Sequence, residues 1–417
     1  MLSVDEARAT ILDTVQVGRT ELLALMQASG RVLAEPVRST LDHPPFDNSA
    51  MDGYAVRWDE VCLATPTSPV TMPVAMDIPA GSYPEPLPLG HVARIMTGAP
   101  MPEGADTVVV REDTDESDRA QILISGLPAG AGAHIRRRGE NLAEGAQVLD
   151  RGTLLGAGEV GLLAILGKAM IPVIRRPKVA IISTGDELVN LGEQPGPGQI
   201  VNSSGPMLAA MVADAGGEPW LLPIARDTYE ATQHCFRQAL DGADLVISIG
   251  GVSVGDFDVV KQVLEELCDG LSFWKIRMKP GKPLAFGRGP AGTPLVGLPG
   301  NPVSSWVSFL QFVRPALRKM LGLESWVLPT VQATLMGPVR SPASRLDLQR
   351  GQLAWASTGA EVPFVFTPHP NQGSGNPTSL LSVGGLARIP VGCSQLDVGA
   401  VVTVEVVGAL HGVPIRV

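Results

Sequence analysis

Four glycine-rich loops follow one another through the middle of this chain, and each sits where an apolar strand is expected to end. The first is Ser183-Thr184-Gly185-Asp186-Glu187, after Ile181-Ile182. The second is Gly250-Gly251-Val252-Ser253-Val254-Gly255-Asp256, after Leu245-Val246-Ile247-Ser248-Ile249. The third is Lys279-Pro280-Gly281-Lys282-Pro283, and the fourth is Pro299-Gly300-Asn301-Pro302, after Leu295-Val296-Gly297-Leu298. Glycine lets a backbone approach a ligand closely and take positive φ. The N–H groups of such loops, next to a helix N-terminus, cradle anions. Loops at the carboxyl ends of parallel strands describe one crevice, where open α/β sheets bind their ligands. A phosphate-bearing or oxyanion ligand is therefore expected. The loops match neither a Gly-x-x-x-x-Gly-Lys-Ser/Thr phosphate loop nor a Gly-x-Gly-x-x-Gly dinucleotide fingerprint.

With 417 residues the chain exceeds one ordinary core, so several domains are expected. A net charge of −10 argues against a nucleic-acid surface, although local lysines can still receive a small anion. Cys62, Cys235, Cys268 and Cys393 are too far apart for a zinc cluster or redox pair and read as reduced thiols. Met1-Leu2-Ser3-Val4-Asp5-Glu6 lacks the basic start and apolar run of a signal peptide. Residues 154–174 carry Glu159, Lys168 and several glycines, a poor membrane span. No membrane partner, no nucleic acid and a cytoplasmic location are expected.

Helical spacing is read over residues 3–34, from Ala7, Ile11, Leu12 and Val15 on to Leu22, Leu23, Leu25 and Met26. Between 36 and 150, short apolar runs (71–75, 91–96, 107–111, 121–125) separated by Pro/Gly/Asp-rich turns predict antiparallel β structure. Residues 153–167 read as helical, and Arg175-Arg176-Pro177 as a boundary. From Lys178 to Leu323 strand, loop and helix alternate, which predicts a mostly parallel sheet covered on both faces. After Pro329 the runs 331–335, 352–355, 386–389 and 400–407 suggest a small barrel or sandwich. The fold class is therefore multidomain α/β plus β: a central three-layer α/β domain, β-rich N-terminal domains and a small C-terminal β-barrel. The expected domains are residues 1–175, 176–326 and 327–417. In the first, helical or α/β parts at about 1–40 and 145–175 flank a β-rich insertion at about 41–144.

Around the loops, Asp186, Glu187, Asp227, Asp256 and Asp258 fall at separate strand ends, where they can cap turns or converge on a hard divalent cation. Magnesium takes one or two carboxylates together with phosphate oxygens. Lys279 and Lys282 flank a glycine on a proline-stiffened loop, and two rigidly placed ammonium groups suit a small oxyanion. Asp52-Gly53 reads as a turn, and Arg136-Arg137-Arg138 as a solvated run.

Together these segments resemble the molybdopterin molybdenumtransferase family, the MoeA and gephyrin E-domain group. The matching strings are SAMDGYA at 49–55, IMTGAPMPEGAD at 95–106, RRRGEN at 136–141, STGDEL at 183–188, GGVSVGDFD at 250–258, KPGKP at 279–283, LPGNPVS at 298–304 and RLDLQRG at 345–351. They stand in family order and span nearly the whole chain. The resemblance implies an elongated homodimer of four-domain subunits whose third domain is similar to the molybdopterin-adenylating proteins. It implies a Mg²⁺-assisted reaction that joins molybdate to adenylylated molybdopterin and releases AMP. The molybdopterin adenylyltransferase and molybdoenzyme chaperones are further candidate partners.

The resemblance also assigns roles. Ser183, Thr184, Gly185, Asp186, Gly250, Gly251 and Ser253 would cradle phosphates and pterin. Asp227 and Asp258 would stand beside the metal, with Glu187 a further functional acid. Asp52 and Thr97 would reach the site from the partner subunit. Lys279, Lys282 and Ser304, with Arg350 and Ser374, would form the molybdate pocket, its loop held rigid by Pro299 and Pro302, with Asn301 a further substrate-binding residue. One departure stands out: the family often has aspartate after RRRGE, and this chain has Asn141, which keeps hydrogen bonding and loses the charge. Either the acid is dispensable, Glu140 replaces it, or the copy is impaired. Adenylyl transfer from ATP and a non-catalytic scaffold are the competing readings. The N-terminal and C-terminal motifs weigh against the first, and the lack of a long linker or fused domain against the second. Molybdate and tungstate are tetrahedral dianions of similar size and are not distinguished by these residues.

Overall fold

The structure is a computed structural model that describes residues 1–251, 259–356 and 361–408. The chain divides into two units. One comprises Pro36–Asp150 and Gly158–Ala169. Its main sheet has six strands in the order Thr107–Val110, Gly53–Val56, Val92–Ile95, Val70–Ile78, Gln121–Ile124 and Thr114–Asp115. Successive side chains of a strand point to opposite faces. Tyr54 and Val56 accordingly join a cluster with Met72, Val109 and Ile122, while Ala55 joins one with Ile78, Ala93 and Val108. The expected antiparallel arrangement needs one correction: Val70–Ile78 and Val92–Ile95 run parallel. The segment between them is no tight hairpin but a long connection, which is what parallel neighbours require.

The other unit comprises Met1–Glu35, Arg151–Ala157 and Met170–Val417. It opens with a helix, Val4–Thr14, started by a capping box in which the Glu6 N–H donates to Ser3 Oγ and the Ser3 N–H to Glu6 Oε2. The helix stops there, contrary to the reading of helix through residue 34. Thr20–Ala24 is a strand, paired antiparallel with Met170–Ile174. The apparent helical spacing of Leu22 and Met26 has no buried face behind it, since both are exposed, and cross-strand pairing overrides it.

The centre of this unit is a six-stranded sheet of β1 (Lys178–Ser183), β2 (Glu218–Leu221), β3 (Leu245–Ile249), β4 (Asp269–Lys275), β5 (Pro283–Arg288) and β6 (Pro294–Leu298). The order is β2-β1-β3-β6-β5-β4. The first four are mutually parallel, and β5 is antiparallel to both neighbours. It follows that β4 runs in the direction of the parallel set, so the loop after it opens on the same edge as the loops after β1, β3 and β6. Strands buried on both faces read as continuous apolar runs. Val179, Ile181, Ile247 and Val296 pack with Leu208, Val212, Val307 and Phe312, while Ala180, Ile182 and Val246 pack with Phe236, Ala239, Val263 and Leu264. This is the three-layer arrangement expected from the sequence.

The closing helical run, Pro302–Met320, contains a π-helical segment at Phe309–Val313. Buried Gln311 within it accepts from Arg8 at both its backbone and side-chain oxygens (3.0 and 3.1 Å) and donates to Glu405 (2.6 Å). Beyond it, Thr330–Leu335, Leu346–Trp355, Phe364–Pro368, Gly385–Ile389 and Val401–Val406 form a closed barrel, because Leu346–Trp355 pairs with both Phe364–Pro368 and Gly385–Ile389. Closure removes exposed strand edges. Ala333, Leu335, Leu353, Phe366, Ala387 and Val404 fill the interior. Among the described residues no helix is long and apolar enough to cross a membrane.

Candidate active site

Three of the four loops meet in a cavity of about 390 Å³ at the carboxyl edge of β1, β3 and β6. Thr184 and Glu187 line it from the first loop, Gly250 from the second, and Gly300, Asn301 and Pro302 from the fourth. The contacts between loops are short. The Thr184 N–H and hydroxyl both donate to the Ile249 carbonyl (3.1 and 3.2 Å), and the Gly250 N–H donates to the Leu298 carbonyl (3.0 Å). Gly250 and Gly251 hold φ of +87° and +63°. A Cβ on Gly251 would stand 2.5 Å from the Val260 Cβ, so glycine is required twice over, by conformation and by space.

Buried Ser183 exchanges hydrogen bonds with Asn202, whose Oδ1 also accepts from the Gly205 N–H at 3.1 Å and so starts the helix Ser204–Asp214. Two helix N-termini, at Ser204 and Pro302, therefore open on this cavity, a favourable setting for anionic oxygens. Leu188, Ile200 and Val201 give it an apolar wall. The sequence reading passed over Asn202–Ser204, although Asn-Ser-Ser before an apolar run is a helix-start signal.

Asp186 and Asp227 lie side by side. The Asp186 N–H donates to the Asp227 carboxylate (3.3 Å) and the Asp227 N–H to the Asp186 carboxylate (3.2 Å). Arg226, which sequence reasoning did not single out, fastens this loop by donating to the carbonyls of Asp186 (3.2 Å) and Leu188 (3.0 Å). Two exposed carboxylates form a donor set that suits magnesium when phosphate oxygens complete it. Among the described residues no group of three or more His, Cys, Asp or Glu is placed to hold a metal ion. Ser253, Asp256 and Asp258 fall outside the described residues.

The KPGKP loop does not line this cavity. A Cβ on Gly281 (φ +94°) would meet Ser308 Oγ at 2.5 Å and the Ser304 carbonyl oxygen at 3.6 Å, so the loop lies on the helix that follows the fourth loop. That helix starts at Pro302, and its Ser305 hydroxyl donates to the Pro299 and Asn301 carbonyls. Met278–Lys279 pairs in parallel with Leu346–Asp347, which ties the loop to the barrel. Lys279 lines a second cavity of about 740 Å³, together with Arg340, Gln349, His369 and Gln372. Arg350 is fully buried, and its guanidinium donates to Ser379 Oγ (3.1 Å) and to the carbonyls of Asn371 and Gly373. Burial lowers its pKa to about 10, while one terminal nitrogen has no hydrogen-bond partner. Ser374 is half-buried next to Gly373, and Lys282 is exposed.

In the other unit, Asp52 accepts from both the N–H (2.7 Å) and the hydroxyl (2.8 Å) of Thr97. These bonds, the backbone one first, hold its carboxyl below the usual aspartate range. The arginine run is exposed, as a solvated run should be, with Arg137 paired to Asp47 and Arg138 to Asp42, both at 2.6 Å. Glu140 accepts from the Arg137 N–H (2.7 Å) within its own turn, while Asn141 is exposed.

An α/β sheet with three glycine-rich loops meeting in a cavity at its carboxyl edge, followed by a small closed barrel, defines a class of protein whose ligand site lies at the strand ends. Comparison with known proteins narrows the class. Residues 2–167 match the MoeA N-terminal region (domain I and II), 180–319 the probable molybdopterin binding domain, and 332–407 the MoeA C-terminal region (domain IV). A Nostoc protein named molybdopterin molybdenumtransferase is 41% identical over 388 residues, covering 91% of this chain and 87% of that protein. Molybdopterin molybdenumtransferase 2 of Mycobacterium tuberculosis is 42% identical over 361 residues, covering 85% and 88%. The crystal structure of a molybdopterin biosynthesis MoeA protein from Pyrococcus horikoshii superposes with a TM-score of 0.83 at 32% identity, covering 97% of this chain and 99% of that one. The chain belongs to the molybdopterin molybdenumtransferase family.

Proposed function

We propose that this transferase of molybdenum cofactor biosynthesis inserts molybdate into adenylylated molybdopterin and releases AMP, working as a cytoplasmic homodimer. The observation that carries the reading is the meeting of three glycine loops and two helix N-termini in one cavity at the carboxyl edge of the sheet. The N–H groups at its two helix starts and the Ser203 hydroxyl suit phosphate oxygens, and its apolar wall suits a flat heterocycle. Asp227 and Asp186, with Asp258, would hold Mg²⁺, which when bound supplies charge neutralisation at the phosphates. Arg226 keeps the two described acids in register. Lys279 and Lys282 receive the molybdate dianion, with Ser304 beneath their loop. The two dithiolene thiols bind the metal, their protons leaving with one molybdate oxygen as water, while a second water cleaves the bond between adenylate and pterin phosphate and AMP leaves.

The homodimer would bring the Asp52–Thr97 pair to the site from the partner subunit. Leu22, Met26, Leu154 and Met170, all exposed, are apolar surface that a second copy would cover. The test is AMP release from adenylylated molybdopterin and Mg²⁺, with and without molybdate. Release that depends on molybdate supports the reading and shows that Asn141 is tolerated. Release that ignores molybdate, or none at all, overturns it.

A further inference from the structure

Asp347 is 2% exposed, and its carboxylate has one ion-pair contact among the described residues, Lys279 at 3.3 Å, while acting through space on the buried Arg350 guanidinium. A buried charge of this kind is costly unless paired and hydrogen-bonded. The pairing is built into the backbone, because Lys279 and Asp347 are register partners in the parallel ladder that joins the KPGKP loop to the barrel. Gln349 fixes the same carboxylate oxygen from a further 3.1 Å contact and is itself held by the Arg340 carbonyl at 2.8 Å. Nearby Arg350 gives its hydrogen bonds to Ser379, Asn371 and Gly373 instead. The Lys279 side chain, 36% exposed, faces this carboxylate on one side and an open cavity on the other.

We propose that Asp347 is a positioning residue that competes with the incoming oxyanion for Lys279, so that the oxyanion is aligned by the ammonium yet held weakly enough to be handed on. The inference rests on the reading of Lys279 as part of the oxyanion pocket. Its chemical logic is that molybdate is consumed as a substrate. Binding it and the transition state equally tightly lowers the half-saturating concentration without raising turnover. A buried carboxylate that shares the lysine removes part of that uniform binding.

The test uses full-length Asp347→Asn, which keeps shape and hydrogen bonding and removes the charge. Two quantities are read: calorimetric binding of molybdate alone, and molybdate-dependent AMP release. The expected result is binding about tenfold tighter, because the Lys279 ammonium is released to the dianion as a full charge-assisted partner, with a matching fall in half-saturating molybdate and a lower kcat. Asp347→Glu should restore both values. In a Lys279→Met background, Asp347→Asn should leave the affinity unchanged, because the competition acts through that lysine. A merely structural role would instead weaken binding and lower the melting temperature. Affinity that is unchanged or weaker in Asp347→Asn, or tightening that persists without Lys279, overturns the proposal. Should Asp347→Asn fail to fold, Gln349→Leu frees the carboxylate to pair more strongly and should weaken binding about threefold; tightening there would sink the idea equally. If Lys279→Met alone binds molybdate as well as the native chain does, it is the pocket assignment that fails.

Discussion

Gly281 is where sequence, packing and the proposed oxyanion site meet, and Gly281→Ala exposes the connection. The residue sits between Lys279 and Lys282 at φ +94°, a region that residues with a Cβ rarely adopt. Holding alanine there costs about 1–3 kcal/mol, offset by about 0.4–1 kcal/mol from the reduced freedom of the unfolded chain. The new methyl would also stand 2.5 Å from Ser308 Oγ and 2.7 Å from Met278 Cε. The methionine end is flexible and gives way. Ser308 is fully buried, so its hydroxyl has little room to turn, and overpacking of this kind adds about 1–3 kcal/mol. The sum is a destabilisation of about 1–6 kcal/mol, centred at about 3 kcal/mol. Because Ser308 Oγ has no hydrogen-bond partner, Ser308→Ala alone should change stability by less than about 0.5 kcal/mol. The double variant should recover about 1–2 kcal/mol of the loss and leave the backbone strain behind. Urea unfolding of the four proteins, followed by the fluorescence of Trp306 on the same helix and of the other tryptophans, measures the coupling. Equal losses for Gly281→Ala with and without Ser308→Ala would refute the packing argument, because the methyl would then not be meeting the hydroxyl.

Further expectations follow from the same geometry. Lys279→Ala should raise the molybdate concentration giving half-maximal AMP release by about tenfold, through loss of one charge-assisted partner; an unchanged value removes Lys279 from the pocket. Asp52, held below the ordinary aspartate range by Thr97, should stay ionised where ordinary aspartates take up protons and lose its contact only on further acidification. Thr97→Val should raise the Asp52 pKa toward its ordinary value, read by carboxyl NMR titration, and no shift would dismiss the Thr97 hydroxyl as a cause. Inactive Asp52→Ala and Asp227→Ala proteins, mixed and re-dimerised, should regain up to about a quarter of native activity if each site draws on both subunits. Heterodimers without activity would place each site within one chain.

The layers of the α/β unit were legible because their signal is local. Val179, Ile181, Ala180 and Ile182 alternate between two cores, and glycine marks the strand ends. The early helix was overextended because Leu22, Leu23, Leu25 and Met26 fit a helical period by coincidence. What decides there is the partner strand Met170–Ile174, far off in sequence. The parallel pairing of Val70–Ile78 with Val92–Ile95 was hidden for a similar reason, since alternation reports exposure and not direction.

The site divides along the same line. Thr184, Gly250 and Asn301 stand on loops that announce themselves, and they do line one cavity. The third loop looks like its neighbours in sequence and is built differently. It follows β4, which is parallel to β6 only through the intervening antiparallel β5, and it then pairs with the barrel. Lys279 is thus coupled to a strand 68 residues away, through a carboxylate that lies inside the RLDLQRG string but draws no role from it. Asp347 sits in a run, Leu346-Asp347-Leu348-Gln349-Arg350, whose alternation alone predicts an ordinary half-buried strand. Only the register of the parallel pair makes its charge the counterpart of the lysine. Within the full chain, Asp347→Ala should therefore leave the 390 Å³ cavity able to bind a phosphate-bearing ligand while altering oxyanion affinity. Oxyanion binding identical in the variant and the native chain would break that link.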